Sequence, residues 1–309
     1  MKANRIHGHG GPEVLSYEDA DMPAPGPGEV LIRVAVAGVN PADHKHRSGM
    51  FKDFVPYHFP HILGYDVAGT VEALGEGVTK PSIGTRVSAL LNPIRAGGYA
   101  EFVVTDAAFC AALPDALDFA TAAGMPCAAL TGTQMVEEHL RPAAGDTILV
   151  TGATGMVGRF AVRAAKEAGA RVVAAVRPAY ADEARALGAD EVVALDGRAW
   201  DGTLFDGVID TVGGDAATAL AAGTKPGKRI LTAATDPLDA GRLPAVPEFI
   251  AVHPDGERLA RLGVDVVAGA VTVPIAARLP LAEASRAQEM IEAGGIRGKV
   301  VLFVDDAAS

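Results

Sequence analysis

Cysteine is scarce in this chain: only Cys110 and Cys127 occur among 309 residues. Two thiols cannot build a disulfide framework, so the composition is typical of a protein from a reducing compartment. The first residues contain no apolar signal core, and no apolar run is long enough to span a bilayer. We therefore expect a cytoplasmic protein with no membrane partner.

Basic residues are also few, with 27 Lys and Arg against 38 Asp and Glu, which gives a formal net charge of −11. A negative long-range field repels polyanions, so nucleic acid is not an expected partner. Any phosphate-bearing ligand must be held by a local site with directed donors. Hydrophobic residues make up 49% of the chain, which excludes disorder and is typical of a soluble α/β enzyme.

Two patterns of secondary structure follow each other along the chain. Up to about residue 119, short β-branched runs separated by Gly and Pro predict an antiparallel barrel with strands at 30–36, 67–73, 86–91 and 99–104. A helix is predicted over 120–139. From residue 147 strands and helices alternate, which predicts a parallel sheet with helices on both faces. The predicted strands are 147–151, 171–176, 191–195, 207–210, 229–232 and 249–253.

The last stretch returns to a mixed pattern. It predicts helices starting at residues 255 and 281, a strand near Val271 and a final strand over 299–304.

A glycine-rich turn lies between the strand 147–151 and a helix that extends through residue 168. It reads Thr151-Gly-Ala-Thr-Gly-Met-Val-Gly158. Residues without side chains allow the backbone to approach a pyrophosphate, and the start of the helix stabilises its charge. The predicted cofactor contacts are Gly152, Thr154, Gly155, Met156 and Val157. The alternative is a tight strand–helix connection that needs small residues for packing alone.

The residues after the second strand of this unit bear on the choice of cofactor. NAD sites usually place a carboxylate there, about 20 residues beyond the motif. This chain has Arg177 followed by Tyr180, and no acid before Asp182. A guanidinium suits a 2′-phosphate, so we expect NADPH in preference to NADH, with Arg177 and Tyr180 as contacts. The alternative is an exposed arginine without a ligand.

Several segments resemble the quinone oxidoreductase (zeta-crystallin-like) family of medium-chain dehydrogenases/reductases. They are Gly11-Pro-Glu-Val-Leu15, Pro27-Gly-Glu-Val-Leu31, the segment 59–71, Leu130-Thr131, Asp210-Thr-Val-Gly-Gly214 and Arg297-Gly-Lys-Val-Val301. The resemblance implies an α/β protein with two domains. A GroES-like antiparallel β-barrel catalytic domain would comprise 1–122 and 255–309, and a Rossmann domain with a doubly wound parallel sheet 123–254. It also implies a substrate cleft at their junction and a homodimer through the edge of the Rossmann sheet.

Two of the three zinc ligands of related dehydrogenases are replaced in this chain, and only the cysteine at 127 is kept. The matching positions are Asn40, Tyr65 and Cys127, and no cysteine occurs in 89–98, where relatives carry a structural zinc lobe. Zinc prefers thiolate and imidazole ligands, so an amide and a phenol are poor substitutes. The histidines at 44, 46, 58 and 61 are rival donors, but loop histidines are more often surface groups. We expect no zinc.

Without a Lewis acid, hydride transfer to an already electrophilic quinone or α,β-unsaturated carbonyl is the easier reaction. The negative charge that develops on the carbonyl oxygen then needs a donor. Two tyrosines line the substrate site in the family, and Lys45 and Phe51 stand at the matching positions. The proton donor stays open among Lys45, His44, Tyr65, Tyr57 and water. Asn40, Tyr65 and Lys45 are the predicted catalytic residues, although each could instead be a packed or solvated residue.

Four further residues are predicted to contact the cofactor. The resemblance places Thr131 beside the nicotinamide, and Val212 and Gly213 follow the fourth strand at its ligand-binding end. Lys299 is predicted to reach the cofactor phosphates or the cleft. The alternatives are an ordinary helix threonine, a backbone turn and a solvated strand lysine.

The expected activity is thus reduction of a small apolar quinone or enone. Two alternatives share the fold: reduction of an enoyl thioester, and zinc-free interconversion of alcohol and ketone. A third comes from another class, a cofactor-binding sensor or structural protein with little turnover.

Overall fold

The computed structural model describes residues 1–56 and 58–304. The chain divides into two compact units, one formed by Met1–Cys127 together with the segment from His253 onward, the other by Ala128–Val252. No helix in the described part of the chain is long and apolar enough to cross a membrane.

The first unit is built on two sheets. Its elements from the first half of the chain are β1 (Lys2–Ile6), β2 (Leu15–Asp19), β3 (Glu29–Val39), α1 (Pro41–Arg47), β4 (His61–Ile62), β5 (Asp66–Leu74), β6 (Arg86–Leu90), β7 (Phe102–Asp106), β8 (Cys110–Ala112) and α2 (Phe119–Gly124).

The second unit begins within α3 (Pro126–Gln134), which a π-helical turn, Met135–Leu140, continues. Strands and helices then alternate: β9 (Thr147–Thr151), α4 (Met156–Glu167), β10 (Arg171–Val176), α5 (Ala181–Ala186), β11 (Glu191–Ala194), β12 (Gly207–Asp210), α6 (Gly214–Ala221), β13 (Ile230–Thr232) and β14 (Glu248–Phe249). The chain returns to the first unit with α7 (Gly256–Val267), β15 (Ile275–Pro280), α8 (Ala284–Ala293) and β16 (Lys299–Phe303).

The main sheet of the first unit has seven strands in the order β15-β16-β3-β5-β6-β8, with β7 also paired to β3. All pairs are antiparallel except β15 with β16, which run parallel. Two register shifts in the β3–β5 pair let the long strand β3 bend. A separate sheet has the order β2-β1-β4. The predicted antiparallel sheet is confirmed.

The second unit contains a parallel sheet of six strands in the order β11-β10-β9-β12-β13-β14. The order reverses between β9 and β12, and doubly wound sheets bind ligands outside the carboxyl ends of their strands at such a switch point. The apolar strands β9 and β10 are buried almost throughout, because helices cover both faces. The fold class predicted from the sequence is confirmed.

Some element boundaries differ from the prediction. The helix expected over 120–139 is broken after Gly124, and α3 starts at Pro126, whose ring suits the first position of a helix. The strand expected near Val271 lies further along, as β15. The last strand of the parallel sheet, β14, has two residues, and β7 begins at Phe102.

Candidate functional site

The glycine-rich turn of the second unit depends on residues without side chains. Gly152 has a φ of 62°, and a Cβ there would lie 2.5 Å from Thr211 Oγ1. A Cβ on Gly158 would lie 2.7 Å from Ala153 Cα, so the first turns of α4 pack directly on the loop. Gly155 is the N-cap of α4. Because the first N–H groups of a helix have no acceptor within it, this turn offers backbone donors to an anion.

The five cofactor contacts predicted in this turn occupy its loop and the start of α4. Thr154 lies in the loop, and Met156 and Val157 are the first two residues of the helix. The turn follows β9, so it stands at the switch point of the parallel sheet.

Arg159 stabilises the turn from the interior, and sequence reasoning did not identify it. Its side chain is buried, and Nη2 donates to the carbonyl oxygen of Thr154 at 2.8 Å and to Glu183 Oε1 at 2.9 Å. An arginine on an otherwise apolar helix face gives no signal that separates a buried ion pair from a surface charge. The structure makes it a support of the loop backbone.

The carboxylate of Asp210 ties together the ends of three adjacent strands. Its Oδ1 accepts from the Thr151 hydroxyl at 2.6 Å and from the N–H groups of Val212 and Gly213 at 3.1 and 3.0 Å. Its Oδ2 accepts from the Thr232 hydroxyl at 2.7 Å. Asp210 therefore fixes the turn after β12, where the predicted contacts Val212 and Gly213 lie. Val212 is 40% exposed, so its side chain is open to a ligand.

Arg177 directly follows β10 and is exposed. Its guanidinium carbon lies 5.0 Å from the centre of the Tyr180 ring, within the range of a cation–π contact. The two side chains predicted to contact the cofactor thus lie together at the carboxyl end of the strand next to β9.

Thr131 lies on α3 and is 6% exposed. A Cβ on the next residue, Gly132, would lie 2.8 Å from the backbone nitrogen of Ala161, so α3 packs closely against α4. Thr131 is therefore carried by a helix that lies against the helix of the glycine-rich turn.

A second polar group forms in the first unit around Asn40, Asp66 and Lys299. Asn40 Nδ2 donates to Asp66 Oδ2 at 2.9 Å, and Lys299 Nζ donates to Asn40 Oδ1 at 2.5 Å. Lys299 Nζ also lies 3.3 Å from Asp66 Oδ2, while Asp66 Oδ1 accepts from the Cys127 N–H at 2.9 Å. All three side chains are buried, and burial raises the pKa of Asp66. Lysine cannot accept and a carboxylate cannot donate, so the orientation of the Asn40 amide is fixed.

Strand register explains why residues so far apart in sequence meet. Asn40 follows the end of β3, Asp66 opens β5 and Lys299 opens β16. In the sheet, Gly38 pairs with Asp66, and Val39 with Val300. Three neighbouring strands therefore present these side chains at one point of the sheet.

Asp43 lies next to this group on α1 and is fully buried. Its Oδ2 accepts from the backbone N–H of Asn40 and from the Tyr99 hydroxyl, each at 2.8 Å. Its Oδ1 has no hydrogen-bond partner among the described residues. Burial, opposed by these hydrogen bonds, raises the pKa of Asp43 to about 7. Neither Asp43 nor Tyr99 was identified from the sequence.

Tyr65 is buried beside an aromatic group of α1 and the following loop. Its ring centre lies 5.8 Å from that of His46, which lies 5.0 Å from that of Phe51. Burial lowers the pKa of His46 to about 4, so this imidazole is neutral at pH 7. Lys45 is half-buried, and desolvation lowers its pKa. Tyr57, another proton-donor candidate, lies outside the described residues.

Zinc does not fit the residues that match the ligand positions of zinc enzymes. The space beside Asn40 Oδ1 and Asp66 Oδ2 holds the ammonium of Lys299, and a divalent ion needs those same oxygens. Within 1–56 and 58–304, no group of three or more His, Cys, Asp or Glu side chains could hold a metal ion. The absence of zinc from the protein stays a prediction.

Two family models match the chain. Residues 26–115 match the alcohol dehydrogenase GroES-like domain, and residues 187–302 match the zinc-binding dehydrogenase family. The positions that match the zinc ligands of related dehydrogenases, Asn40, Tyr65 and Cys127, lie outside residues 187–302.

Curated relatives include the chloroplastic quinone oxidoreductase QR1 of Triphysaria versicolor. It is 34% identical over 199 residues, which cover 62% of this chain and 60% of the relative. A trans-enoyl reductase of Aspergillus flavipes is 34% identical over 197 residues, covering 59% and 56%. The chain thus spans three fifths or less of the length of these relatives.

Solved structures match almost the whole chain. The quinone oxidoreductase of Coxiella burnetii is 30% identical, covers 99% of both chains and has a TM-score of 0.85. A mycobacterial protein complexed with NADPH is 32% identical, covers 98% of this chain and 100% of its own, and has a TM-score of 0.83. A thermostable alcohol dehydrogenase of Pyrobaculum aerophilum with bound cobalt and zinc is 32% identical, covers 98% and 99%, and has a TM-score of 0.82.

Proposed function

The chain belongs to the quinone oxidoreductase (zeta-crystallin-like) family of medium-chain dehydrogenases/reductases, and on that premise we propose that it transfers hydride from NADPH to a quinone or an α,β-unsaturated carbonyl without a metal ion. The observation that carries the proposal is the glycine-rich turn at the switch point of a six-stranded parallel sheet. Bound NADPH would supply the hydride.

The second unit binds and orients the cofactor. The first backbone N–H groups of α4, at Met156 and Val157, would receive the diphosphate, while Asp210 holds the neighbouring turn at Val212 in place. The exposed guanidinium of Arg177 pairs with the 2′-phosphate, with Tyr180 stacked beside it. The mycobacterial relative complexed with NADPH supports this choice of cofactor.

The first unit supplies hydrogen-bond donors. Asn40 gives one amide hydrogen to Asp66 and keeps its second for the acceptor oxygen, where negative charge develops after hydride transfer. Lys45 and Tyr65 are the other proposed donors, and the proton that completes reduction comes from water.

We further propose a homodimer located in the cytoplasm.

One observation favours a second activity. The trans-enoyl reductase among the relatives reduces, by its name, an activated double bond, which undergoes the same hydride addition as an enone. Enoyl thioesters therefore belong among the substrates to be tested.

The test is NADPH oxidation by purified protein across a panel of quinones, enones and enoyl thioesters, with products identified by mass spectrometry. We expect consumption of one NADPH for each quinone or enone reduced. Turnover with enoyl thioesters alone would move the assignment to the second activity. Binding of NADPH without turnover on any member would identify a binding protein and overturn the proposal.

A further inference from the structure

Lys299 is a lysine without access to water. Its side chain is 4% exposed, and its ammonium lies between Asn40 Oδ1 at 2.5 Å and Asp66 Oδ2 at 3.3 Å. Lysine is among the residues least often buried, because an unpaired ammonium loses its hydration. The burial of Lys299 at the start of β16 therefore indicates that the side chains around its ammonium need a positive charge.

The side chain of Lys299 passes the end of helix α2, where a glycine leaves room for it. A Cβ on Gly124, the last residue of α2, would lie 3.4 Å from Lys299 Cγ and 3.1 Å from Val273 Cγ1. A larger residue at this position would press on the lysine stem. Because Gly124 has no side chain, the methylene groups of Lys299 fit beside it, and the ammonium contacts Asn40 Oδ1 and Asp66 Oδ2.

Two buried carboxyl groups lie near the ammonium of Lys299, and its positive charge balances their negative charge. Asp66 contacts it directly, and Asp43 is a second fully buried carboxyl group that interacts electrostatically with both Asp66 and Lys299. Both carboxyl groups are fully buried, and burial raises the pKa of each because it disfavours the charged form. One cation beside two buried carboxyl groups offsets that cost.

The ammonium of Lys299 occupies two oxygens, Asn40 Oδ1 and Asp66 Oδ2, that a divalent cation at this point would need. Carboxylate and amide oxygens bind divalent cations, and Asn40 and Cys127 stand where zinc-dependent relatives place ligands. We propose that Lys299 is the resident cation of this site, so that its ammonium and a divalent metal ion exclude each other. The inference rests on the metal-free part of the proposed function alone, and its test reads metal content, whereas NADPH oxidation tests the reductase activity separately.

The test uses Co²⁺, whose visible absorption reports coordination by protein. Wild-type protein and the Lys299→Ala variant are titrated with Co²⁺, and metal content is measured after gel filtration. We expect Lys299→Ala to bind one Co²⁺ per chain at least about tenfold more tightly than wild type, which corresponds to ~1.4 kcal/mol. Co²⁺ should also raise the melting temperature of Lys299→Ala and leave that of wild type unchanged.

Two controls isolate the site from surface histidines. Lys299→Met fills the space of the lysine stem without its charge, so it should bind no more Co²⁺ than wild type. In the double variant Lys299→Ala/Asp66→Asn the carboxylate is gone, and the gained site should disappear.

Two results would overturn the proposal. One is a natively folded Lys299→Ala variant that gains no Co²⁺ site. The other is a stoichiometric Co²⁺ site in wild-type protein that Asp66→Asn abolishes, since metal and ammonium would then coexist. The comparison of wild type with Asp66→Asn decides the question even if Lys299→Ala fails to fold. A Lys299→Ala variant that folds only in the presence of Co²⁺ supports the proposal.

Discussion

Asp43 shows how a single buried residue sets the pH response of the first unit. Its pKa rises from 3.8 to about 7 in the folded protein because burial disfavours the charged form. Between these two values the folded state binds more protons than the unfolded state. The contribution of Asp43 to the free energy of unfolding therefore falls as pH rises through this range, and levels off above pH 7.

We expect Asp43→Asn to remove this dependence. His46 and His61 have pKa values lowered to about 4, so their contributions change in the opposite sense, rising with pH between 4 and 6.5. Both proteins share these histidines, so the difference between them isolates Asp43. Urea unfolding from pH 5 to 8 should show the stability of wild type falling relative to the variant by up to ~2.7 kcal/mol, because only the part of the change between pH 5 and about 7 lies within this range. A constant difference would show that Asp43 stays charged.

Arg177 is the residue on which, in our proposal, the preference for NADPH over NADH depends. Arg177→Ala should weaken NADPH binding by about tenfold to a hundredfold, the effect of losing a charge-assisted hydrogen bond, and leave NADH binding nearly unchanged. Arg171→Ala, at the opposite end of β10, is the matched control and should change neither affinity. Calorimetric titration measures both. Equal loss of NADPH and NADH affinity would refute a 2′-phosphate contact.

Single residues were the hardest features to obtain from the sequence. Each of Arg159, Asp210 and Lys299 has a partner that is distant in sequence, at 24, 59 and 233 positions, namely Glu183, Thr151 and Asp66. Spacing along the chain carries no trace of such contacts. The glycine-rich turn was predictable because its three glycines and the flanking strand and helix are adjacent in the sequence, although the close approach of Gly152 to Thr211 was not.

Among the elements, α4 and the turn before it form one packing unit. A Cβ on Gly158 would approach Gly152 and Ala153 more closely than van der Waals contact allows. We expect Gly158→Ala to lower the free energy of unfolding by about 1–3 kcal/mol and to weaken dinucleotide binding, because α4 must move away from the loop. Chemical denaturation and calorimetry measure the two effects.

Gly241→Ala is the control for this substitution. A Cβ there would meet only Asp239 Oδ1, at 3.3 Å, in an exposed turn. It should change stability by less than about 0.5 kcal/mol. If Gly158→Ala behaved like the control, the close packing of α4 on the turn would be disproved.

The carboxyl ends of β9, β12 and β13 are joined through Asp210. Asp210→Ala leaves buried hydroxyl and N–H donors without an acceptor, and should cost about 3 kcal/mol or more. Asp210→Asn keeps an oxygen at the Oδ1 position and can donate to the Thr232 hydroxyl, so it should retain most of the stability. Thermal unfolding distinguishes the two. Equal losses would mean that the charge of the carboxylate, and not its acceptor geometry, stabilises the network.

Elements with a clear period were predicted well, and interrupted ones were not. The strands over 147–151, 171–176 and 207–210 coincide with β9, β10 and β12. Residues 120–139 are apolar throughout, so their pattern did not indicate the break before Pro126. The edge strand β14 has only two residues, which are too few to give a pattern. Edge strands and breaks depend on tertiary contacts, which local patterning does not contain.

The change from a strand-rich sequence to one in which strands and helices alternate was enough to predict two domains of different architecture. With a net charge of −11, the chain can hold a phosphate only through directed groups, and we expect the first N–H groups of α4 to be such groups. NADPH at a hundred times its dissociation constant should therefore stabilise the protein by about 2.7 kcal/mol against unfolding.

Hydride transfer from NADPH to a quinone in the absence of a metal ion can be measured on the purified protein. The most direct measurement is single-turnover NADPH oxidation by protein that has been treated with a chelator and assayed for metal content. We predict that one equivalent of a quinone oxidises bound NADPH at the same rate before and after metal removal. A rate that falls in proportion to the metal removed, or NADPH that stays reduced in the presence of every quinone, would contradict the account.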